Sequence, residues 1–131
     1  MPGSSLARYI NTELVQPRLI VQRYDPTVVP SPALFAEARK ARDRFTRKGA
    51  CAVLVILPPE MPVDPPSTNV DFFRQESQNR RIIALAVVAE TAVVNAATKF
   101  YFRYHAQSFE AKVFVDEKEA RNWLMGKLNG G

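Results

Sequence analysis

Apolar residues return along this chain in two rhythms. Short continuous runs rich in branched side chains occur at Leu19-Ile20-Val21, at 51–57, at 82–88 and at 111–115. Between them, apolar positions recur every three or four residues. Runs too short for a helix read as strands, the valine- and isoleucine-rich 51–57 as one covered on both faces, and the three-to-four spacing reads as helix. The pattern therefore predicts strands near 19–24, 51–57, 82–89 and 111–115. An earlier segment, about 7–15, would pair with 18–24 as a hairpin, with Pro17 at the turn or strand start, where its missing N–H does no harm.

The helices have their own punctuation. Ser31-Pro32 opens the first, because serine caps free N–H groups and proline at the first helical position loses nothing. Leu34, Ala38, Ala41 and Phe45 then form one narrow stripe, and Gly49 closes the helix. Ser67-Thr68-Asn69 can cap a second helix through about Arg80, with Val70, Phe72 and Phe73 nearest the core, joined by Gln75 or Ser77. The third runs from Thr91 to Tyr104. The fourth starts at Asp116, which can accept from the N–H of Glu119 while Glu119 reaches back, as in a capping box. Ala120, Trp123, Leu124 and Leu128 share its docking face. The expectation is one α/β domain over residues 1–131. It has a mixed sheet of about five strands with an antiparallel N-terminal edge, four helices and right-handed crossovers.

Two connections stand out. Asp25 to Pro30 is a loop held extended by proline. Residues 58–66 hold five of the ten prolines (Pro58, Pro59, Pro62, Pro65, Pro66), so this stretch is a stiff surface loop. It follows the carboxyl end of a parallel strand, where open α/β sheets tend to bind ligands.

Composition adds little to the fold but narrows the function. The chain has 131 residues, 47% apolar and 24% charged, which suits one globular domain with a real core. No apolar run reaches the roughly 20 residues of a membrane span, and the start lacks a basic-then-apolar leader. A cytoplasmic location is expected. Cys51, alone at the head of an apolar run, reads as a small buried hydrophobe rather than a reactive thiol. The net charge of +5 is concentrated between Pro32 and Lys48, where Arg39, Lys40, Arg42, Arg44, Arg47 and Lys48 face only Glu37 and Asp43. This basic helix, with Arg39, Lys40, Arg44 and Arg47 at its surface, is a solvated face or a landing site for an acidic protein or membrane surface.

Reactive side chains do not converge. His105 is the only histidine, with no cysteine or carboxylate at metal-ligand spacing, and reads as a cap or a solvent-facing residue. There is no glycine-rich phosphate loop, and Glu60 and Asp64 in the proline loop have no partner base. The sequence thus assigns no catalytic, cofactor-binding or metal-binding residue. Lys99-Phe100-Tyr101-Phe102-Arg103-Tyr104 is richer. Four aromatics within five positions spread over more than half of a helix circumference, so one or two must remain near the surface. They are core plus a subunit contact, a small-ligand or peptide groove, or, with their interleaved bases, a nucleic-acid platform, the least favoured of the three.

Three segments together resemble the STAS-like group, small bacterial proteins with the fold of anti-sigma-factor antagonists. They are Arg81 to Glu90 with its Ala-Val-Val-Ala-Glu ending, the aromatic-ended helix Thr91 to Tyr104, and Lys112 to Leu124, where Val-Phe leads through an acidic turn into Ala-x-x-Trp-Leu. The loop Tyr24 to Val29 is similar as well. The resemblance implies a non-enzymatic regulatory module that binds other proteins, with no cofactor. It also points to a phosphorylatable serine or threonine at the helix after the central strand, where Ser67 and Thr68 are the nearest candidates. No matching turn surrounds them, and a capping role competes with a phospho-switch. The alternative is a small-molecule or lipid binder, or an enzyme, using residues 58–66 and the aromatic end of helix 91–104. The excess aromatic surface predicts a homodimer through Phe100, Tyr101, Phe102 or Tyr104.

Overall fold

The computed structural model describes residues 3–61 and 70–130. Five strands form one sheet in the order of the chain: β1 (Ile10–Gln16), β2 (Leu19–Tyr24), β3 (Cys51–Ile56), β4 (Ile82–Val88) and β5 (Glu110–Phe114). β1 pairs antiparallel with β2, and the other three pairings are parallel. Among the described residues four α-helices connect or follow them: α1 (Pro32–Thr46), α2 (Arg74–Gln78), α3 (Ala92–Tyr104) and α4 (Glu117–Asn129). This is the α/β domain that the apolar pattern predicts, with its antiparallel edge at the N-terminus. Among the described residues no helix is long and apolar enough to cross a membrane.

Strand alternation divides the core into two layers. Ile20, Tyr24, Val53, Val55, Leu85 and Val87 point to one face, where Leu34 and Ala38 of α1 and the rings of Phe73 and Phe102 cover them. Leu19, Val21, Leu54, Ile56 and Val88 point to the other, with Ala52, Ala84 and Ala86 among them. Those three alanines leave room for α4, which buries Ala120 and Leu124 completely and lays Trp123 against Phe114 at 5.6 Å. Each parallel strand is added at the same edge, and α1, α2 and α3 all cross on one face. That is what crossovers of a single hand require when the sheet grows in one direction.

Local chemistry sets the ends. Ser31 Oγ accepts from Leu34 N at 3.1 Å, Thr91 Oγ1 from Val94 N at 3.4 Å, and Asp116 Oδ2 from Glu119 N at 3.0 Å. Only this half of the expected capping box forms; Glu119 does not reach back among the described contacts. Pro17-Arg18 makes the β1–β2 turn, with Arg18 at φ 69°.

Three expectations are corrected. The first strand starts at Ile10 rather than near Ala7, because Gly3–Tyr9 is a 3-10 helix. Three residues per turn place Leu6 and Tyr9 together on the core. Among the described residues, the helix expected from 67 to 80 is Arg74–Gln78, preceded by a turn in which Asp71 Oδ1 accepts from Phe73 N. Ser67 and Thr68 lie outside the described residues. The buried stripe of α1 is Leu34, Ala38, Arg42 and Thr46, four apart throughout, with Ala41 and Phe45 half-buried beside it.

Candidate interaction surface

Arg42, expected among the surface bases, is 2% exposed and Glu76 is 1% exposed. Its Nε donates to Glu76 Oε2 at 2.7 Å and its Nη2 to Oε1 at 2.6 Å, a two-pronged pair between α1 and α2. Nη1 donates to Gln22 Oε1 at 3.0 Å, while Gln22 Nε2 donates to the Ala38 carbonyl at 2.9 Å. The Phe73 ring lies 4.5 Å from the guanidinium. A fork of five N–H groups matches a carboxylate in a way that lysine cannot, so this pair locks α2 against α1 and β2. Its signal was present in the sequence. Arg42 continues the four-residue spacing of Leu34 and Ala38, and Glu76 is three residues on from Phe73.

α2 is also tied to α3. Tyr101 Oη donates to the Val70 carbonyl at 2.7 Å and accepts from Phe72 N at 3.0 Å. Gln107 Nε2 donates to Asp71 Oδ1 at 2.9 Å, and Ser77 and Ser108 exchange hydrogen bonds. Burial pushes the Tyr101 phenol up to about 12, against the pull of the Phe72 N–H. Burial also pushes Tyr24 to about 12, against the opposing charge of Arg42. Both hydroxyls therefore stay protonated throughout the neutral range.

The four aromatics of α3 separate cleanly. Phe102 enters the core beside Phe73 at 5.7 Å, and Tyr101 anchors residues 70–72. Phe100 and Tyr104 are 61% and 67% exposed, and their rings stack at 6.3 Å with 12° between planes. Val93, one heptad before Phe100, is 70% exposed. At 100° per residue, Val93, Ala96, Ala97, Phe100 and Tyr104 make one stripe on the side away from Val94 and Phe102. Lys99 and Arg103 are exposed along one flank. A helix apolar on two opposite sides is built to be covered twice, and the sheet covers only one.

Other candidates are more dispersed. Arg39 pairs with Asp43 at 2.9 Å and Lys40 with Glu37 at 3.2 Å, so much of the basic charge on α1 is answered within the helix. Arg44 and Arg47 are exposed. His105 is the C-cap of α3, its N–H bonded to the Tyr101 carbonyl at 2.8 Å. It lines an open depression of about 470 Å³ with Asp71, Arg74, Ser77, Gln78 and Ala106. Cys51 is buried, which pushes its thiol up. Pro58 follows β3 at the carboxyl edge of the sheet, whereas α3 runs back toward the amino edge. Tyr101 of α3 nevertheless lies close enough to Tyr24, at the carboxyl end of β2, to raise its pKa, and its hydroxyl bonds to the backbone of Val70 and Phe72.

The class these features define is an α/β domain whose third helix carries an uncovered apolar face. Residues 19–127 match the family described as a domain of unknown function, DUF7793, and the chain belongs to that family. No curated protein and no solved structure matches it.

Proposed function

We propose that this chain is a non-enzymatic protein-interaction and regulatory module of STAS-like type, working in the cytoplasm as a homodimer through the outer face of α3. The observation that carries the reading is the stripe of Val93, Phe100 and Tyr104. Three large apolar side chains this exposed on one helix face are a surface that water disfavours and a partner relieves. Lys99 and Arg103 at its flank can lay their stems over the rings and keep their charges wet. The strand and helix order, including the antiparallel first strand, supports the STAS-like resemblance. The exposed bases Arg44 and Arg47 on α1 suit an acidic protein partner at a second surface.

Sedimentation tests the reading. The wild type is expected to sediment as a dimer at tens of micromolar. Phe100→Glu should yield a soluble monomer with an unchanged far-ultraviolet spectrum, since this ring contributes little to the core. A monomeric wild type at that concentration refutes the dimer. A second reading, a small-ligand binder, draws on the depression beside Arg74 and His105. It predicts a thermal shift from a metabolite library, because ligand at 100 times its dissociation constant adds about 2.7 kcal/mol. A library that shifts nothing removes it.

A further inference from the structure

The stripe on α3 is ordered by size as well as by polarity. Val93 lies toward the N-terminal end, Ala96 and Ala97 form the middle, and Phe100 and Tyr104 fill the C-terminal end. Two such helices can meet in parallel or antiparallel. In parallel, each residue meets its own copy: bulky rings collide at one end, alanines face alanines across a gap, and Arg103 approaches Arg103. In antiparallel, a two-fold axis between Ala96 and Ala97 sets each Val93 against the second copy's Phe100, about 10 Å apart along the helix. The small central pair then lets the backbones approach closely, so that large side chains sit over smaller ones.

Charge favours the same arrangement. Glu90 is exposed just before the Thr91 cap, and Arg103 is exposed in the last turn. Among the described residues neither belongs to an ion pair. Antiparallel packing brings the Glu90 end of one helix to the Arg103 end of the other and sets the two helix dipoles head to tail. Parallel packing would align both dipoles and oppose like charges.

We infer that the occupant of this face is a second copy of the chain, packed with α3 against α3 in antiparallel orientation about Ala96 and Ala97, and held in that direction by Glu90 and Arg103. The inference rests on the proposed dimer and adds its geometry. Single cysteines and a charge exchange test it, since the native Cys51 is buried. Ala97→Cys should cross-link as a dimer with a short bis-maleimide, whereas Tyr104→Cys should not, being far from its own copy. Glu90→Arg and Arg103→Glu should each weaken dimerisation several-fold, and the two together should restore it. Cross-linking of Tyr104→Cys as readily as Ala97→Cys would establish parallel packing and overturn the geometry, as would a double variant no tighter than the singles. If Phe100→Glu breaks a dimer that Ala97→Cys cannot cross-link, the dimer stands and only the orientation fails. A wild type that is monomeric and never cross-links overturns both, leaving the face to a different protein.

Discussion

Replacing Glu76 by leucine would strand the Arg42 guanidinium in the core. Both side chains are at most 2% exposed, and two of the three hydrogen bonds from Arg42 go to this carboxylate, at 2.6 and 2.7 Å. After the replacement only Gln22 Oε1 and the face of Phe73 remain as partners. Breaking a buried pair from one side costs about 3–5 kcal/mol, because the remaining charge is neither paired nor hydrated. Against a total stability of about 5–15 kcal/mol, that is about a fifth at the least. With roughly 3–5 °C lost per kcal/mol at this size, the melting temperature should fall by about 10–25 °C. The double variant Arg42→Met with Glu76→Leu removes both charges and should recover most of the loss. Lys127–Glu110 is the control. Its ion pair is also 2.6 Å long, but the two side chains are 39% and 59% exposed, so Glu110→Ala should cost under about 1 kcal/mol. Urea titration followed by circular dichroism reads all three variants. A Glu76→Leu cost no larger than that of Glu110→Ala, or a double variant less stable than the single, would refute the claim that burial rather than distance sets the value of this pair.

The remaining expectations are smaller. Arg80 sits at φ 52° after α2, where Arg81 N reaches the Glu76 carbonyl at 2.9 Å and Arg80 N the Ser77 carbonyl at 3.3 Å. That is a left-handed cap of the kind that favours glycine, so Arg80→Gly should raise stability by about 0.5–1 kcal/mol in urea titration. A fall would mean the arginine side chain contributes more than the strain costs. Because Tyr24 and Tyr101 are raised from 10 to about 12, folding favours their protonated forms. Their contribution is whole below pH 10 and is lost as pH climbs through about 12. It is on the order of 2–3 kcal/mol for fully buried Tyr24 and less for the partly exposed Tyr101. Tyr24→Phe should flatten the dependence of the urea midpoint on pH above 10, and an unchanged slope would contradict the burial argument.

Most of the architecture was legible because its causes are local. A branched apolar run with no helical period reads as a strand, and β2 to β5 fall within a residue or two of those runs, although β5, at the sheet edge, has no fully buried residue. Ser31, Thr91 and Asp116 cap by reaching three residues along their own chain, a geometry that needs no distant partner. Where the local signal was polar or divided, the pattern gave less. Gly3–Tyr9 winds into a 3-10 helix to put Leu6 and Tyr9 on a core built mainly by later elements, and α2 is short because side-chain bonds from α1, α3 and Ser108 hold it in place of an apolar stripe of its own.

The candidate surface divides along the same line. That α3 carries more aromatic area than one face can bury follows from its sequence, since four rings within five positions must spread around the helix. Which rings face outward depends on the angle at which the helix meets the sheet, and only packing set that angle, taking Phe102 and Tyr101 inward and leaving Phe100 and Tyr104 in water. The buried pair shows the same limit. Arg42 continues a stripe readable as core-facing, but the expectation turned Gln75 or Ser77 inward, whereas Gln75 is exposed and Glu76 buried; each of the two alone is a charge that belongs in solvent. Their burial becomes favourable only when each meets the other, and a partner 34 residues away is supplied by chain topology, which no periodicity within a single helix can encode.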